Sequence, residues 1–196
     1  DENKIEHFSE NPKNRCYYCK THLFKNLMKI AENENLTHVI EGSNVDDLGD
    51  YRPGLTALKE LDIKSPLREA ELTKAEIRAL SRHFGLPTWK KPSFACLASR
   101  IPYGEKITRQ KLSMIEKAEN YLLGLGFEQF RVRIHGGEGI NSGYIARIEL
   151  LPGDFPKMLD ENLRDTLYQK FKEIGFAYTA LDLKGYRTGS MNETIL

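Results

Sequence analysis

Residues 108–135, TRQKLSMIEKAENYLLGLGFEQFRVRIH, decide how the second half of the chain folds. Thr108 can cap a helix, apolar residues recur at helical spacing up to residue 124, and Gly126 stops the run. Residues 129–135 then alternate apolar and polar, the period of a strand. Side chains alternate along a strand, so Phe130, Val132 and Ile134 face one way and Arg131, Arg133 and His135 the other. The glycine-rich GGEGINSG at 136–143 leads to a second strand over 144–150. A helix over 156–174, a strand over 176–183 and the polar tail GYRTGSMN follow. The order α-β-β-α-β predicts a small α+β domain over 104–196, with helices backing an antiparallel sheet.

Residues 1–103 carry a different pattern. A helix is expected over 17–34, with Leu23, Leu27 and Ala31 on one apolar line and Phe24 and Met28 beside it. A short strand over 37–40 precedes an acidic, turn-rich loop, EGSNVDDLGDYRPG, at 41–54. A short helix near 55–61 comes next. Residues 73–84 form the clearest helix of this half. Thr73 and Glu76 make a capping box, Ile77, Leu80 and Phe84 give an apolar face, and Gly85 ends it. The stretch WKKPSFACLASRIPYG at 89–104 has two prolines and no period, so it reads as a loop. This half resembles the later part of an α/β unit, with too few strands to close a doubly wound sheet.

The 196 residues carry 29 Lys+Arg against 28 Asp+Glu, a net charge of +1. A general polyanion binder would be basic over its surface, so this balance argues against a nucleic-acid partner. Hydrophobic residues make up 40% and charged residues 29%, which suits a soluble globular protein. No apolar run approaches the ~20 residues of a membrane helix. The opening DENKIEHFSE is acidic and polar and shows no signal peptide. A chain that begins with Asp1 is expected to be a processed form or a piece of a longer protein. Of three cysteines, two form a C-x-x-C. That points to a reducing, cytoplasmic setting and to metal or redox chemistry rather than a disulfide framework.

Cys16 and Cys19, in RCYYCK, put two thiolates within reach of one metal or cluster. Cys96 follows 77 residues later in FACLASR. Three cysteines cannot close a four-thiolate zinc site, but they could leave one iron of a 4Fe–4S cluster open for a non-protein ligand. A zinc knuckle completed by a histidine, or two buried thiols at a helix start, fits the same spacing. Lys90, Lys91 and Arg100 surround Cys96 in sequence and would favour its thiolate, whereas a small buried loop residue needs no such chemistry.

The Arg131, Arg133 and His135 face would repel itself, and a phosphate or carboxylate would relieve that. Spacing alone favours a solvated face with Glu149 and other acids as partners. Glu119 is placed more oddly, between Ile115 and Leu122 on the apolar stripe of its helix. A carboxylate there must be paired or shifted in pKa, and Arg131 or Arg133 is the expected partner. In the acidic loop, Asn44, Asp46, Asp47 and Asp50 offer hard oxygens for Mg²⁺, and Arg52 could hold phosphate. A solvated turn explains them equally well, and their spacing excludes an EF-hand.

Taken together, six segments resemble one family in the same order: NRCYYCKTHLF, EGSNVDDLGDYRPG, SPLREAELTKAEIRALSRHFGLP, ACLASRIPYG, RVRIH with IARIEL, and LDLKGYRTGSMN. The family is that of the LarE-type sulfur insertases, ATP-dependent enzymes of the PP-loop pyrophosphatase superfamily that help make a nickel-pincer nucleotide cofactor. The resemblance covers nearly the whole chain. It implies an α/β chain: the later part of a PP-loop, Rossmann-like domain of the adenine nucleotide alpha hydrolase-like kind over 1–103, then a substrate-binding or oligomerisation domain over 104–196. The family opens with an S-G-G-x-D-S loop that cradles ATP phosphates. No such sequence lies in these residues, so the match begins partway into the nucleotide-binding domain.

The resemblance implies ATP and Mg²⁺ as cofactors and pyridinium-3,5-biscarboxylic acid mononucleotide as substrate. A carboxylate is adenylated, pyrophosphate leaves, and a sulfur nucleophile displaces AMP to give the thiocarboxylate. In one branch the loop cysteine matched by Cys96 gives up its own sulfur and becomes dehydroalanine. In the other, three cysteines hold a 4Fe–4S cluster that carries a sulfide from a separate sulfur donor. Cysteines stand at all three matching positions, Cys16, Cys19 and Cys96, which favours the cluster branch. Carried over by position, Cys96 and Glu119 are catalytic, and Ser99 and Arg100 lie beside the sulfur site. Arg131, Arg133 and Arg187 would bind substrate anions, with Glu149 and Asp154 lining the same site. Asn44, Asp47, Asp50 and Arg52 fall near the ATP phosphates. A homo-oligomer, often a hexamer, is the family's usual assembly. The rival readings are a tRNA thiolase of the same superfamily and a metal-binding module without activity.

Overall fold

The computed structural model of the chain describes residues 5–49, 53–92, 94–137 and 143–193. Asp50 and Arg52, two of the expected nucleotide-binding residues, lie outside the described residues. The fold is mixed α/β, with seven α-helices and one three-stranded sheet among the described residues. The chain divides into two compact units, Asp1–Ser93 and Phe94–Leu196.

In the first unit, α1 (Arg15–Asn33) packs on α2 (Pro53–Glu60). Phe24, Leu58 and Ile63 form its apolar centre, with Val39, Leu55 and Leu61 around them. The buried line on α1 is Phe24 and Ala31, two turns apart. Leu23, Leu27 and Met28 are 48%, 36% and 41% exposed, contrary to the expected apolar line. The stripe is narrow because, among the described residues of this unit, the extensive packing on α1 comes from α2. The strand expected at 37–40 is a single parallel bridge, Ile40 to Lys64. One short neighbour supplies two backbone bonds there (Lys64 N to Val39 O, Glu41 N to Lys64 O), too few to extend a ladder.

A 3₁₀ turn, Val45–Gly49, and α3 (Pro66–Glu69) lead to α4 (Lys74–His83). Here the capping box forms as expected. Thr73 Oγ1 accepts from the Glu76 amide, and the Glu76 carboxylate accepts from the Thr73 amide at 2.8 Å. The apolar face of α4 is not covered, however. No residue of the helix is fully buried, and Phe84 is 71% exposed. A 3₁₀ turn, Pro87–Lys90, packs beside it.

The second unit opens with a 3₁₀ turn, Leu97–Arg100. Next comes α5 (Arg109–Gly124), capped where Thr108 Oγ1 accepts from the Lys111 amide at 3.1 Å. Strands β1 (Phe130–Gly136) and β2 (Tyr144–Leu150) pair antiparallel, with Arg131 opposite Glu149 and Arg133 opposite Arg147. The expected helix at 156–174 is two helices, α6 (Phe155–Met158) and α7 (Glu161–Ile174). Asp160 splits them, its carboxylate capping α7 by accepting from the Leu163 amide. Strand β3 (Phe176–Leu181) joins β2 in parallel. The all-antiparallel sheet is thereby corrected, because the helical crossover between β2 and β3 returns the chain to the same end.

One face of the sheet carries Phe130, Val132, Ile134, Ala146, Ile148 and Leu150, all 2% exposed or less. Helices α5 and α7 back the sheet and pack on each other. No helix among the described residues is long and apolar enough to cross a membrane.

Candidate functional site

The opposite face of β1 is also buried. Arg131 and Arg133 are 4% and 5% exposed, so the solvated face favoured by spacing does not exist. The turn Leu97–Arg100 and the tail serine Ser190 lie over it. Buried guanidiniums must be paired, and the pairing here is extensive.

Glu119 projects from the apolar stripe of α5, and its partner is Arg100 rather than Arg131 or Arg133. The pair is bidentate: Arg100 Nε donates to Oε1 at 2.9 Å and Nη2 to Oε2 at 3.0 Å. Glu119 Oε1 also accepts from the Val132 amide at 3.0 Å. The remaining Arg100 nitrogen, Nη1, donates to the carbonyls of Ala95 (2.8 Å) and Cys96 (2.9 Å) and to Ser99 Oγ. Ser99 Oγ in turn donates to the Cys96 carbonyl at 2.7 Å. The backbone at Cys96 is therefore clamped, while the Cys96 residue is exposed. The positive charge of Arg100 is committed to Glu119.

Arg133 continues the network. It donates to the Ser99 carbonyl at 2.9 Å, to Glu149 at 2.8 Å and to Ser190 Oγ at 2.9 Å. Ser190 Oγ donates onward to Glu149 at 2.7 Å. Arg147, directly across from Arg133, would repel it. Glu149 lies between them and takes both, with Arg147 Nη1 3.2 Å from its Oε1. Arg147 also pairs with Asp182 and donates to His135 Nε2 at 3.1 Å. Burial and the adjacent Arg147 push the His135 pKa below its ordinary value. Burial alone would raise the Asp182 carboxyl, but the Lys184 amide, Arg147 and Arg187 hold it below the usual range.

Arg131 sits differently. Its guanidinium lies 5.0 Å from the Tyr186 ring and 5.8 Å from the Phe94 ring, two residues before Cys96. Burial and the neighbouring Arg100 lower its pKa. At the centre of this face three buried guanidiniums (Arg100, Arg131, Arg133) meet two buried carboxylates (Glu119, Glu149).

The other expected site residues are spread more widely. Arg187 is tied to Glu193 and Asp182, outside the Arg100–Glu119 pair. Asp154 is half-buried in the 3₁₀ turn after β2, and its carboxylate makes no hydrogen bond among the described residues. In the first unit, Asn44 and Asp47 bond their own loop: Asp47 accepts from the Asn44 amide and Asn44 Oδ1 from the Asp46 amide, each at 3.0 Å. The Asp46 carboxylate accepts from the Lys74 amide. Cys16 and Cys19 stand one turn apart at the start of α1, Cys16 exposed and Cys19 half-buried. Among the described residues, no three His, Cys, Asp or Glu side chains are grouped to hold a metal ion.

Arg147, Asp182 and Ser190 were missed from sequence. Arg147 had a signal: it alternates with the apolar Ala146 and Ile148 and so falls on the polar face of its strand. Ser190 had none, since the tail reaches Glu149 from 41 residues away.

No family model matches the chain. An uncharacterized protein of Synechocystis sp. is 43% identical over 188 residues, covering 96% of this chain and 68% of the relative. The pyridinium-3,5-bisthiocarboxylic acid mononucleotide synthase of Lactiplantibacillus plantarum is 37% identical over 190 residues, covering 97% of this chain and 66% of that enzyme. An uncharacterized protein of Methanocaldococcus jannaschii is 31% identical over 185 residues, covering 94% and 69%. The chain thus spans about two thirds of the length of these relatives.

Proposed function

The chain belongs to the LarE-type sulfur insertases, a family of enzymes, and on that footing we propose that it carries out ATP-dependent sulfur transfer to a pyridinium mononucleotide. The first unit is assigned to the later part of a PP-loop domain and the second to substrate. In the reaction a substrate carboxylate is adenylated by MgATP with loss of pyrophosphate. A sulfur nucleophile then adds to the activated carbonyl and AMP departs, leaving a thiocarboxylate. Adenylation is needed because a carboxylate oxygen is otherwise a poor leaving group.

The observation that carries the reading is the group of buried guanidiniums, Arg100, Arg131 and Arg133, beside the clamped, exposed Cys96. Arg131 and Arg133 offer an anionic substrate charge-assisted bonds. Glu119 acts through Arg100: with both oxygens occupied, it positions the loop rather than meeting substrate. Ser99 and Arg100 fix the carbonyl of Cys96 and so the path of its side chain. Glu149 and Asp154 border the substrate site, and Arg187, held by Glu193 and Asp182, is assigned to substrate anions. Asn44, Asp47, Asp50 and Arg52 are assigned to the approach of the ATP phosphates and Mg²⁺, Asn44 and Asp47 by shaping the loop.

Cys16, Cys19 and Cys96 offer three sulfur donors, the ligand type that three-thiolate ligation of a 4Fe–4S cluster uses. Such a cluster, when bound, supplies an iron open to sulfide. Homo-oligomeric assembly and a cytoplasmic setting complete the proposal. Iron and acid-labile sulfide, measured after anaerobic purification, test the cluster. About four of each per chain, lost in Cys16→Ala, supports it. No iron after reconstitution assigns the sulfur to Cys96 itself, and dehydroalanine at residue 96 after turnover is then the expected product.

A further inference from the structure

A cleft of about 430 Å³ lies in the first unit between α4 and the turn Pro87–Lys90, lined by Arg78, Ala79, Arg82, His83 and Trp89. Its volume is that of a small-ligand pocket. Arg78 and Arg82 stand four residues apart, neighbours on one helical face, where like charges repel. Arg82 and Lys90 both lie 4.9 Å from the centre of the same indole, that of Trp89.

The local sequence does not balance this charge. Residues 74–91 hold five Lys and Arg but one acid, Glu76. The Glu76 carboxylate is already taken by the Thr73 amide and hydroxyl in the capping box. Arg78 donates to the Lys91 carbonyl at 3.1 Å, which is not a counter-charge. Among the described residues neither Arg82 nor Lys90 has a carboxylate partner. Two cations crowded onto one aromatic ring, with the only local carboxylate spent elsewhere, leave a cleft that lacks an anion and has a flat π surface at its wall.

We propose that this cleft is a second binding site, for a nucleoside monophosphate. The phosphate lies against Arg78 and Arg82, where it removes their mutual repulsion. The base stacks on Trp89 in place of one of the two cations, which swings to the phosphate. Ala79 leaves room for the ligand between the two arginines. This site shares no residue with the Arg100–Glu119 network and does not rest on the sulfur chemistry.

Trp89 is the one tryptophan in the 196 residues, so its fluorescence reports directly on the cleft. Adenosine monophosphate, adenosine and inorganic phosphate are each titrated against the chain, with calorimetry as a second readout. Saturable quenching by adenosine monophosphate is expected, with adenosine and phosphate each at least about tenfold weaker. Arg82→Gln should weaken nucleotide binding about tenfold, the size of one lost charge-assisted bond. Arg82 is exposed, so an unchanged circular dichroism melt confirms that the variant folds. Absence of saturable quenching, equal binding by Arg82→Gln, or adenosine binding as tightly as its phosphate overturns the proposal. So does a single-stranded oligonucleotide that binds more than tenfold tighter, which would make the cleft part of a nucleic-acid surface.

Discussion

Replacing Glu119 with alanine leaves the Arg100 guanidinium buried without its carboxylate. The two side chains are 1% and 9% exposed, so water cannot stand in for the lost partner. Breaking a buried pair from one side costs about 3–5 kcal/mol. The Val132 amide loses its acceptor in the same step. With a urea dependence of about 2 kcal/mol per molar, the midpoint for the second unit should fall by about 1.5–2.5 M. Tryptophan fluorescence would miss this, because Trp89 lies in the first unit. Hydrogen exchange at the Val132 amide reads it directly, and protection should drop about a hundredfold to a few thousandfold. The double variant Arg100→Met with Glu119→Leu should recover most of the loss, since no unpaired charge is then buried. A loss below about 1 kcal/mol, the range of an exposed pair, would refute the reasoning. A double variant as unstable as the sum of the singles would refute it too.

Arg131→Ala combined with Arg133→Ala should weaken binding of the pyridinium mononucleotide more than tenfold, since each charge-assisted bond is worth about 1.5–3 kcal/mol; titration calorimetry checks this. His135 has a folded pKa below its unfolded value, so the unfolded state takes up the proton first. Stability should therefore fall as pH drops below about 6.5, and His135→Gln should flatten that slope in urea melts taken across the range. Gly185→Ala should destabilise by more than the about 1–2 kcal/mol of a left-handed backbone. Gly185 has φ +71°, and an added Cβ would lie 2.6 Å from the Leu150 carbonyl oxygen; calorimetric melting reads the loss.

Local signals in the sequence served well. Thr73 and Thr108 cap the helices they were expected to cap, and the alternation in 129–135 and 144–150 gives the two central strands. What failed depended on partners distant in sequence. Strand direction for β3 is set by the crossover through α6 and α7, not by its own residues. The outward face of β1 reads as solvated because its cover comes from residues 97–100 and from Ser190, neither adjacent to it in sequence. Glu119 was legible as anomalous, but its partner was not, since Arg100 reaches it from a turn whose path no period reveals. The C-x-x-C was legible as chemistry, but α1 starts at Arg15, two residues before the expected 17, and so takes in both cysteines.

The most direct measurement is the yield of thiocarboxylate from the pyridinium mononucleotide with MgATP, read by mass spectrometry for wild type and Cys96→Ala side by side. Product from wild type and none from Cys96→Ala, with the variant's urea midpoint unchanged, is the predicted result. Equal product from both would contradict the central claim that sulfur is delivered at the loop held by Arg100 and Glu119.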